Sequence, residues 1–206
     1  MSRRRVGLLG GTFNPPHAGH LRLAELGLEH LGLDEVRFVP ANLPPHKQLA
    51  AGPDGAGRVH LLEEALAAAG RPFRVEPLEV LRGGTSYTVD TLEVLARREP
   101  DAAWVFLMGS DQLAGFQDWR RTGRILELAA LAVAPRPGEP ATALPGLLAE
   151  RVRERWSGAP GELVWLPSTE LDLASTDLRR ELERGRLPAG IPAEVLAVIL
   201  REKQYR

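Results

Sequence analysis

The chain has 206 residues, 44% hydrophobic and 26% charged, a composition that fits a single globular domain over residues 1–206 and excludes collagen, a coiled coil and a long disordered region. It contains no cysteine, which excludes disulfides and thiolate chemistry, and its formal net charge of −1 without a basic stripe argues against a nucleic-acid partner. No apolar stretch approaches the roughly 20 residues of a membrane span, and the residues after Met1 do not form a signal peptide, so we expect a cytoplasmic protein without a membrane partner.

Strand-like and helix-like patterns alternate along the whole chain. Short apolar or alternating runs predict strands, and apolar residues at helical spacing predict helices. In chain order we expect a strand at 6–9, a helix at 17–31, a strand at 35–40, a helix at 57–69, a strand at 73–80 that Pro77 interrupts or places at an edge, a helix at 88–98, strands at 102–108 and 130–134, a helix at 144–156, a strand at 163–166, and helices at 176–184 and 193–203. This order predicts an α/β domain with a doubly wound, mostly parallel sheet and helices on both faces.

In such a sheet, ligands bind beyond the carboxyl ends of the strands. That rule selects the segments that follow predicted strands, which are 10–20, 41–47, 83–88, 109–119 and 168–179. We therefore expect the chemistry-bearing residues to come from these five segments.

The most informative segment is 10–20, with the sequence Gly-Gly-Thr-Phe-Asn-Pro-Pro-His-Ala-Gly-His. Its paired glycines allow a tight turn, and the start of the following helix offers free N–H groups to an anion. His17 and His20 are spaced to share one helical face, and Gly19 leaves room between them. This arrangement favours a clamp for a phosphate over histidines that only cap the helix. A zinc site is disfavoured because His-x-x-His lacks a third ligand nearby.

A second anion-binding pattern stands at the start of the helix predicted at 176–184. Ser175 and Thr176 offer hydroxyls there, and Arg179 belongs to the same first turn, where its guanidinium can hold phosphate oxygens. Ordinary helix capping is the alternative interpretation for the hydroxyls.

At the segment 10–20 the chain resembles a known family. The His-x-Gly-His signature marks the nucleotidyltransferase superfamily, and the longer motif is similar to that of the bacterial nicotinate-nucleotide adenylyltransferases. Five further segments match this family in order, at 44–47, 86–92, 109–119, 134–138 and 174–179. Two positions depart from its pattern: Asn14 stands where the family often has Asp, and Ala174 stands where it has a serine.

The resemblance implies a Rossmann-like nucleotidyltransferase fold and transfer of AMP from ATP to nicotinate mononucleotide, giving nicotinate adenine dinucleotide and pyrophosphate. It assigns catalysis to His17, His20 and Arg179, with a Mg²⁺ bound mainly through the ATP phosphates and no protein metal site. The residues it assigns to ATP are Gly10, Gly11, Thr12, Phe13, His17, Gly19, His20, Gly109, Asp111, Ser175, Thr176 and Arg179. The residues it assigns to the mononucleotide are Asn42, His46, Lys47, Thr85, Tyr87, Thr88, Trp119 and Arg136.

Simpler interpretations stay open for several of these residues. Lys47 fits a free surface lysine, Tyr87 and Trp119 fit core residues, Asp111 fits a helix cap, and Arg136 fits a surface turn. Two other functions also stay open: a sister adenylyltransferase that acts on another phosphate acceptor such as phosphopantetheine, and a non-catalytic nucleotide sensor. A homo-oligomer stays open in the same way.

Overall fold

The computed structural model describes residues 3–45, 49–137, 144 and 146–205. Within this part of the chain, seven parallel strands form one sheet in the order β3-β2-β1-β4-β5-β7-β6. The strands are β1 (Arg4–Gly11), β2 (Glu35–Pro40), β3 (Phe73–Val75), β4 (Ala102–Gly109), β5 (Ala129–Ala134), β6 (Val152–Arg153) and β7 (Leu163–Trp165). The chain builds outward from β1 to β3 and then crosses to β4 on the other side of β1. The direction of winding therefore reverses between β1 and β4, where the carboxyl ends of the strands open a crevice.

Helices cover both faces of the sheet, as the alternating pattern predicted. They are α1 (Ala18–Leu31), α2 (Gly55–Ala69), α3 (Leu78–Arg82), α4 (Thr88–Arg98), α5 (Ser110–Ala114), α6 (Thr122–Leu128), α7 (Gly146–Ala149), α8 (Ser175–Glu183) and α9 (Ala193–Arg201), with a 3₁₀ turn at Phe116–Asp118. The predicted fold class is confirmed.

The period-two alternation of the strands creates two cores. On β1 and β4, Leu9 and Leu107 are paired in register and pack with α1 and α2, whereas Leu8 and Phe106 are paired and pack with α4, α5 and α6. Both faces of these central strands are buried, which explains why their sequences are continuous apolar runs. A third cluster joins α2, α8 and α9 and holds the two later helices against the rest of the domain.

The strand predicted at 73–80 is wrong beyond Val75. Helix α3 begins at Leu78 instead, with Pro77 as the residue before it, and the carbonyl of Pro77 accepts a hydrogen bond from the Leu81 N–H at 2.9 Å. Proline cannot donate to a strand ladder but is well tolerated where a helix begins, so Pro77 marks a change of element and not an edge strand.

The helix predicted at 144–156 is also wrong. Among the residues of this range that the structure describes, only Gly146–Ala149 is helical, and the chain then forms the two-residue strand β6 beside β7. The N–H of Leu163 donates to the carbonyl of Arg151 at 2.9 Å, so pairing with the sheet satisfies backbone groups that a longer helix would have satisfied internally.

The short elements α5, α6 and the 3₁₀ turn were not predicted. Each has only a few residues, too few to show a helical period in the sequence. Within the described residues, none of the helices combines the length and apolar character that crossing a membrane requires.

Candidate active site

A cavity of about 500 Å³ opens at the carboxyl ends of β1 and β4 and reaches the first turn of α8. Every residue that the sequence analysis assigned to ATP lines this cavity. The strand-end rule therefore brought together two motifs that are more than 150 positions apart in the sequence.

The two motif histidines stack against each other. Their ring centroids are 3.7 Å apart, with an angle of 29° between the ring planes. The two residues do not share a helical face as predicted, because His17 is extended at φ −148° and stands as the cap before α1. The His17 N–H donates to Nδ1 of His20 at 3.2 Å, so in its neutral form His20 carries its proton on Nε2. Helix capping thus occurs here, and it leaves His20 with a defined donor.

His17 is the more buried of the pair. Burial, aided by the positive charge of Arg136, lowers the pKa of His17 from 6.5 to about 4, so the ring is neutral at physiological pH. Among the described residues its Nδ1 atom has no hydrogen-bond partner although it is buried. A Cβ on Gly19 would lie 3.1 Å from that atom, so glycine keeps the space beside it clear.

The depressed pKa of His17 is expected to make folding stability fall in mild acid. The unfolded chain takes up this proton near pH 6.5 and the folded chain only near pH 4, so the unfolded state binds more protons between these values and stability is lost as the pH drops through that window. At about 1.4 kcal/mol per pKa unit, the wild type loses roughly 3 kcal/mol relative to a His17→Gln variant between pH 7 and pH 4. Urea unfolding of both proteins across this range measures the difference, and parallel losses would contradict it.

The first turn of α8 is tied to the motif loop by side chains. Ser175 Oγ donates to the Pro15 carbonyl at 3.3 Å, and Arg179 donates from one nitrogen to the Asn14 carbonyl at 2.6 Å and from the other to Thr176 Oγ1 at 3.1 Å. No carboxylate of the described chain lies within ion-pair distance of Arg179. This guanidinium therefore keeps its charge available to an anion in the cavity.

Asp111 and Arg136 meet at the mouth of the same cavity. Their side chains form an ion pair at 2.9 Å, and both are about 40% exposed. An exposed pair of this kind contributes only about 0–1 kcal/mol, so a ligand can separate it at little cost. Arg136 lines the ATP cavity, and its partner Asp111 lines both that cavity and the more apolar one that Tyr87, Thr88 and Trp119 line.

Two further cavities adjoin the first, one smaller, of about 170 Å³, and one more apolar, of about 500 Å³. Thr88 and Trp119 line both, and Tyr87 lines the second. Trp119 contacts Phe106 edge-on at 5.6 Å between centroids, while the guanidinium of Arg120 lies 4.7 Å above the ring of Tyr87. Both aromatic residues are partly buried against the hydrophobic core and also line the cavities, so the structure is compatible with the core interpretation and with the ligand interpretation.

The segment 83–88 is held beside these cavities by Asn42. The Asn42 side chain donates to the Gly84 carbonyl at 2.9 Å, and its backbone N–H donates to Ser86 Oγ at 2.8 Å. Thr85 forms a parallel bridge with Leu43. Asn42 and Thr85 thus shape the wall and do not line the cavities directly, and His46 and Lys47 lie outside the described residues.

Similarity to known proteins identifies the family of this chain. The family model described as cytidylyltransferase-like matches residues 8–181. A relative from Hydrogenovibrio crunogenus is 41% identical over 89% of this chain and 88% of its own length, and one from Bordetella petrii is 39% identical over 98% and 100%; both carry the name probable nicotinate-nucleotide adenylyltransferase. This chain belongs to the nicotinate-nucleotide adenylyltransferase family.

Solved structures support the fold of this adenylyltransferase. A nicotinic acid mononucleotide adenylyltransferase from Plasmodium falciparum, complexed with NaAD, superposes with a TM-score of 0.77 at 15% identity, covering 98% of this chain and 97% of that chain. A putative nicotinate-nucleotide adenylyltransferase from Vibrio parahaemolyticus superposes with a TM-score of 0.66 at 22% identity, covering 100% and 96%.

One buried arginine of this adenylyltransferase, which the sequence motifs did not indicate, joins the loop after β1 to the loop after β2. Arg58 donates to the carbonyls of Thr12 at 2.9 Å and Ala41 at 2.6 Å, and to that of Asn42 at 3.3 Å. The helical period could have indicated it, because Arg58 falls on the same face of α2 as the apolar residues at 61, 62, 65 and 66, and all five positions are buried. A charge on the apolar stripe of a helix indicates buried polar partners.

A buried carboxyl group under segment 83–88 was also missed. Glu79 accepts a hydrogen bond from the Thr91 hydroxyl at 2.5 Å, and burial raises its pKa. It lines the smaller cavity beside Ser86. Nothing local in the sequence distinguished it, because the short helix α3 that buries it was itself predicted as a strand.

Proposed function

We propose that this adenylyltransferase transfers AMP from ATP to nicotinate mononucleotide, releasing pyrophosphate and forming nicotinate adenine dinucleotide. The observation that carries the proposal is a shared wall: Gly10, Gly11, Thr12 and Gln112 line both the phosphate-binding cavity and the adjoining smaller cavity. Two substrates bound on either side of this wall would bring their phosphates together there. The names of the relatives and the NaAD in the Plasmodium falciparum structure support the choice of substrates.

The ATP phosphates would lie between the two helix starts. The amino ends of α1 and α8 both face the cavity, and each offers N–H groups and a positive dipole end. We assign the α-phosphate to His17 and His20, and the β- and γ-phosphates to Ser175, Thr176 and Arg179. Asp111, once released from Arg136, is the group we assign to the ribose hydroxyls.

The chemical step would be a direct displacement at the α-phosphorus. An oxygen of the mononucleotide 5′-phosphate forms a bond to phosphorus as the bond to the β-phosphate oxygen breaks, and pyrophosphate leaves with that electron pair. No enzyme nucleophile is needed, so catalysis consists of positioning and electrostatic stabilisation. The Nε2–H of His20 would donate to a non-bridging oxygen on which negative charge grows.

The mononucleotide would occupy the aromatic side. Trp119 and Tyr87 offer flat faces to its pyridine ring, and the backbone N–H groups of 83–88 offer donors to its carboxylate. The loop 44–47 remains our proposal for its 5′-phosphate.

We also propose Mg²⁺ as a participant that neutralises charge on the triphosphate. Within the described residues no three His, Cys, Asp or Glu side chains converge as a metal site. Asp111 is the carboxylate among the residues lining the ATP cavity. The donor set therefore fits an ion held mainly by phosphate oxygens and water, the manner that Mg²⁺ prefers.

Pyrophosphate release with ATP and a panel of acceptors tests the function. We expect turnover with nicotinate mononucleotide that far exceeds turnover with phosphopantetheine. Preference for phosphopantetheine would identify a sister enzyme, and binding of ATP without turnover on any acceptor would identify a nucleotide sensor.

Arg179→Ala is expected to raise the KM for ATP by about 10- to 100-fold, because a charge-assisted contact to phosphate is lost in the ground state and in the transition state alike. Arg180→Ala is the matched control, since Arg180 lies on the same helix, carries the same charge and pairs with Asp177 at 3.0 Å outside the cavity. Steady-state kinetics with varied ATP measures both variants. An ATP KM that is unchanged by Arg179→Ala, or changed equally by both variants, would contradict the role.

A further inference from the structure

Asn14 connects several segments that form the wall of the phosphate-binding cavity, and we call it the junction of that cavity. Its side chain is 3% exposed, and both ends of its carboxamide are hydrogen-bonded. Oδ1 accepts from the Tyr205 hydroxyl at 2.5 Å, and Nδ2 donates to the carbonyls of Ala50 at 3.3 Å and Ala51 at 3.4 Å. The backbone carbonyl of the same residue accepts the 2.6 Å hydrogen bond from Arg179.

The carbonyls of Ala50 and Ala51 determine which way this carboxamide faces, and its oxygen is thereby directed at the Tyr205 hydroxyl, which donates to it. If the amide were rotated by half a turn, its NH₂ would face the hydroxyl and its oxygen would face two carbonyls, leaving acceptors opposed to acceptors. Asn14 thus links three parts of the cavity wall: it belongs to the motif loop that ends in His17, its side chain donates to the strap at residues 49–52, and its backbone carbonyl accepts from Arg179 of α8. Leu49 and Ala50 of the strap line the cavity themselves.

Packing and a backbone hydrogen bond fix the position of Tyr205. It belongs to the core cluster formed by α2, α8 and α9, and it is 6% exposed. The preceding residue is turned back onto α9 by a hydrogen bond from the Gln204 N–H to the Ile199 carbonyl at 3.0 Å. Burial raises the pKa of the Tyr205 hydroxyl, so it keeps its proton and remains a donor over the range in which enzymes are assayed.

We propose that Tyr205 is a positioning residue for adenylyl transfer, acting through Asn14 to fix the motif loop and Arg179 around the ATP phosphates. The inference rests on the proposed function of the cavity. Tyr205 does not line that cavity, and segment 83–88 on the mononucleotide side is held by another contact, the hydrogen bond from the Asn42 side chain to the Gly84 carbonyl. Its loss should therefore affect ATP and turnover and spare the acceptor.

Tyr205→Phe removes the hydroxyl and retains the packed ring. We expect kcat to fall about 10-fold and the KM for ATP to rise about 3-fold, with the KM for nicotinate mononucleotide unchanged, since small displacements of positioning groups are costly to turnover. Trp156→Phe is the matched control, because it also removes one buried aromatic donor, the 2.9 Å bond from Trp156 Nε1 to the Ala159 carbonyl. It should lower thermal stability and leave all three constants unchanged.

A second variant reaches the same junction from the strap. A Cβ on Gly52 would come 2.5 Å from Asn14 Oδ1 and 2.7 Å from Tyr205 Cε1, so Gly52→Ala drives the pair apart. Gly70→Ala is its control, because Gly70 also has a positive φ, of 59°, but no atom within 4 Å of the added Cβ. Gly52→Ala should reproduce the kinetic pattern of Tyr205→Phe. The double variant should be no worse than the more severe single one, because both substitutions disrupt one contact.

Two readouts separate this inference from the proposed function. Absence of pyrophosphate release by the wild-type protein with every acceptor would overturn the function alone, because binding of α,β-methylene-ATP, measured by calorimetry, does not depend on an acceptor. The inference is supported if Tyr205→Phe and Gly52→Ala weaken that binding about 3-fold and the two controls do not. It is overturned if Tyr205→Phe binds the analogue and turns over like the wild type. It is equally overturned if all four variants are impaired alike, which would indicate a general loss of stability.

Discussion

Replacing His20 by alanine is expected to lower kcat by about 10²- to 10³-fold, the usual cost of removing one donor from charge that develops in a transition state. The structure supplies the geometric reason. Because Nδ1 of His20 accepts the N–H of His17, its proton is directed to Nε2. The ring is also held in place by its stack on His17 at 3.7 Å and by an edge contact with Phe13 at 4.8 Å. A donor fixed before the reaction needs no reorganisation as charge moves onto the phosphate.

Most of the ATP affinity should survive in His20→Ala, since Arg179 and the helix starts remain. Saturating kinetics gives kcat, and calorimetry with the ATP analogue gives affinity. The variant also loses the hydrogen bond by which His20 caps the start of α1, which should lower the free energy of unfolding by about 1 kcal/mol. Thermal unfolding measures this loss of stability separately. His60→Ala is the control, because His60 lies on α2 and faces Glu202 at 3.9 Å, away from the cavity. A kcat for His20→Ala within a few-fold of the control would exclude the assigned role.

The parts of the site that the sequence predicted are those with local signals. The segment 10–20 follows a buried strand and combines three glycines, two prolines and two histidines, and each of these restricts the backbone or supplies chemistry within a few residues. The start of α8 is marked in the same way by Ser175 and Thr176. The strand-end rule then brings the two segments together without knowledge of any particular contact.

What the sequence could not predict depends on partners distant along the chain. Tyr205 bonds to a residue 191 positions away, and Arg58 bonds to carbonyls whose positions are fixed by β1 and β2. The pairing of Arg136 with Asp111 likewise depends on the exact meeting of two loops. The sequence also failed to predict the short elements, for a related reason. Strand β6 forms because it can pair with the edge of β7, and not because its own two residues favour a strand.

The acid form of the mononucleotide is expected to be preferred over the amide, and segment 83–88 provides the reason. Gly83 and Gly84 have φ values of 72° and 69°, and a Cβ at either would meet no atom within 4 Å, so this turn is open to a ligand. The Gly84 carbonyl is already bonded to Asn42 and the Ser86 N–H to the Leu43 carbonyl. The N–H groups of Tyr87 and Thr88, two residues that line the more apolar cavity, are the donors we assign to the ligand.

Backbone N–H groups only donate, and a carboxylate only accepts, so two such donors are both satisfied by nicotinate. The amide can accept from one of these N–H groups with its carbonyl oxygen, but its NH₂ then faces the second N–H group, and neither of the two can accept a hydrogen bond. That mismatch costs about 1–3 kcal/mol, which corresponds to a preference of roughly 5- to 150-fold in kcat/KM. Trp119→Ala provides the internal comparison, because stacking does not distinguish two flat rings of similar size. This variant should weaken both mononucleotides together and preserve their ratio. Measuring kcat/KM for both at fixed ATP tests the assignment. Equal values in the wild type, or a ratio that collapses in Trp119→Ala, would place the discrimination outside segment 83–88.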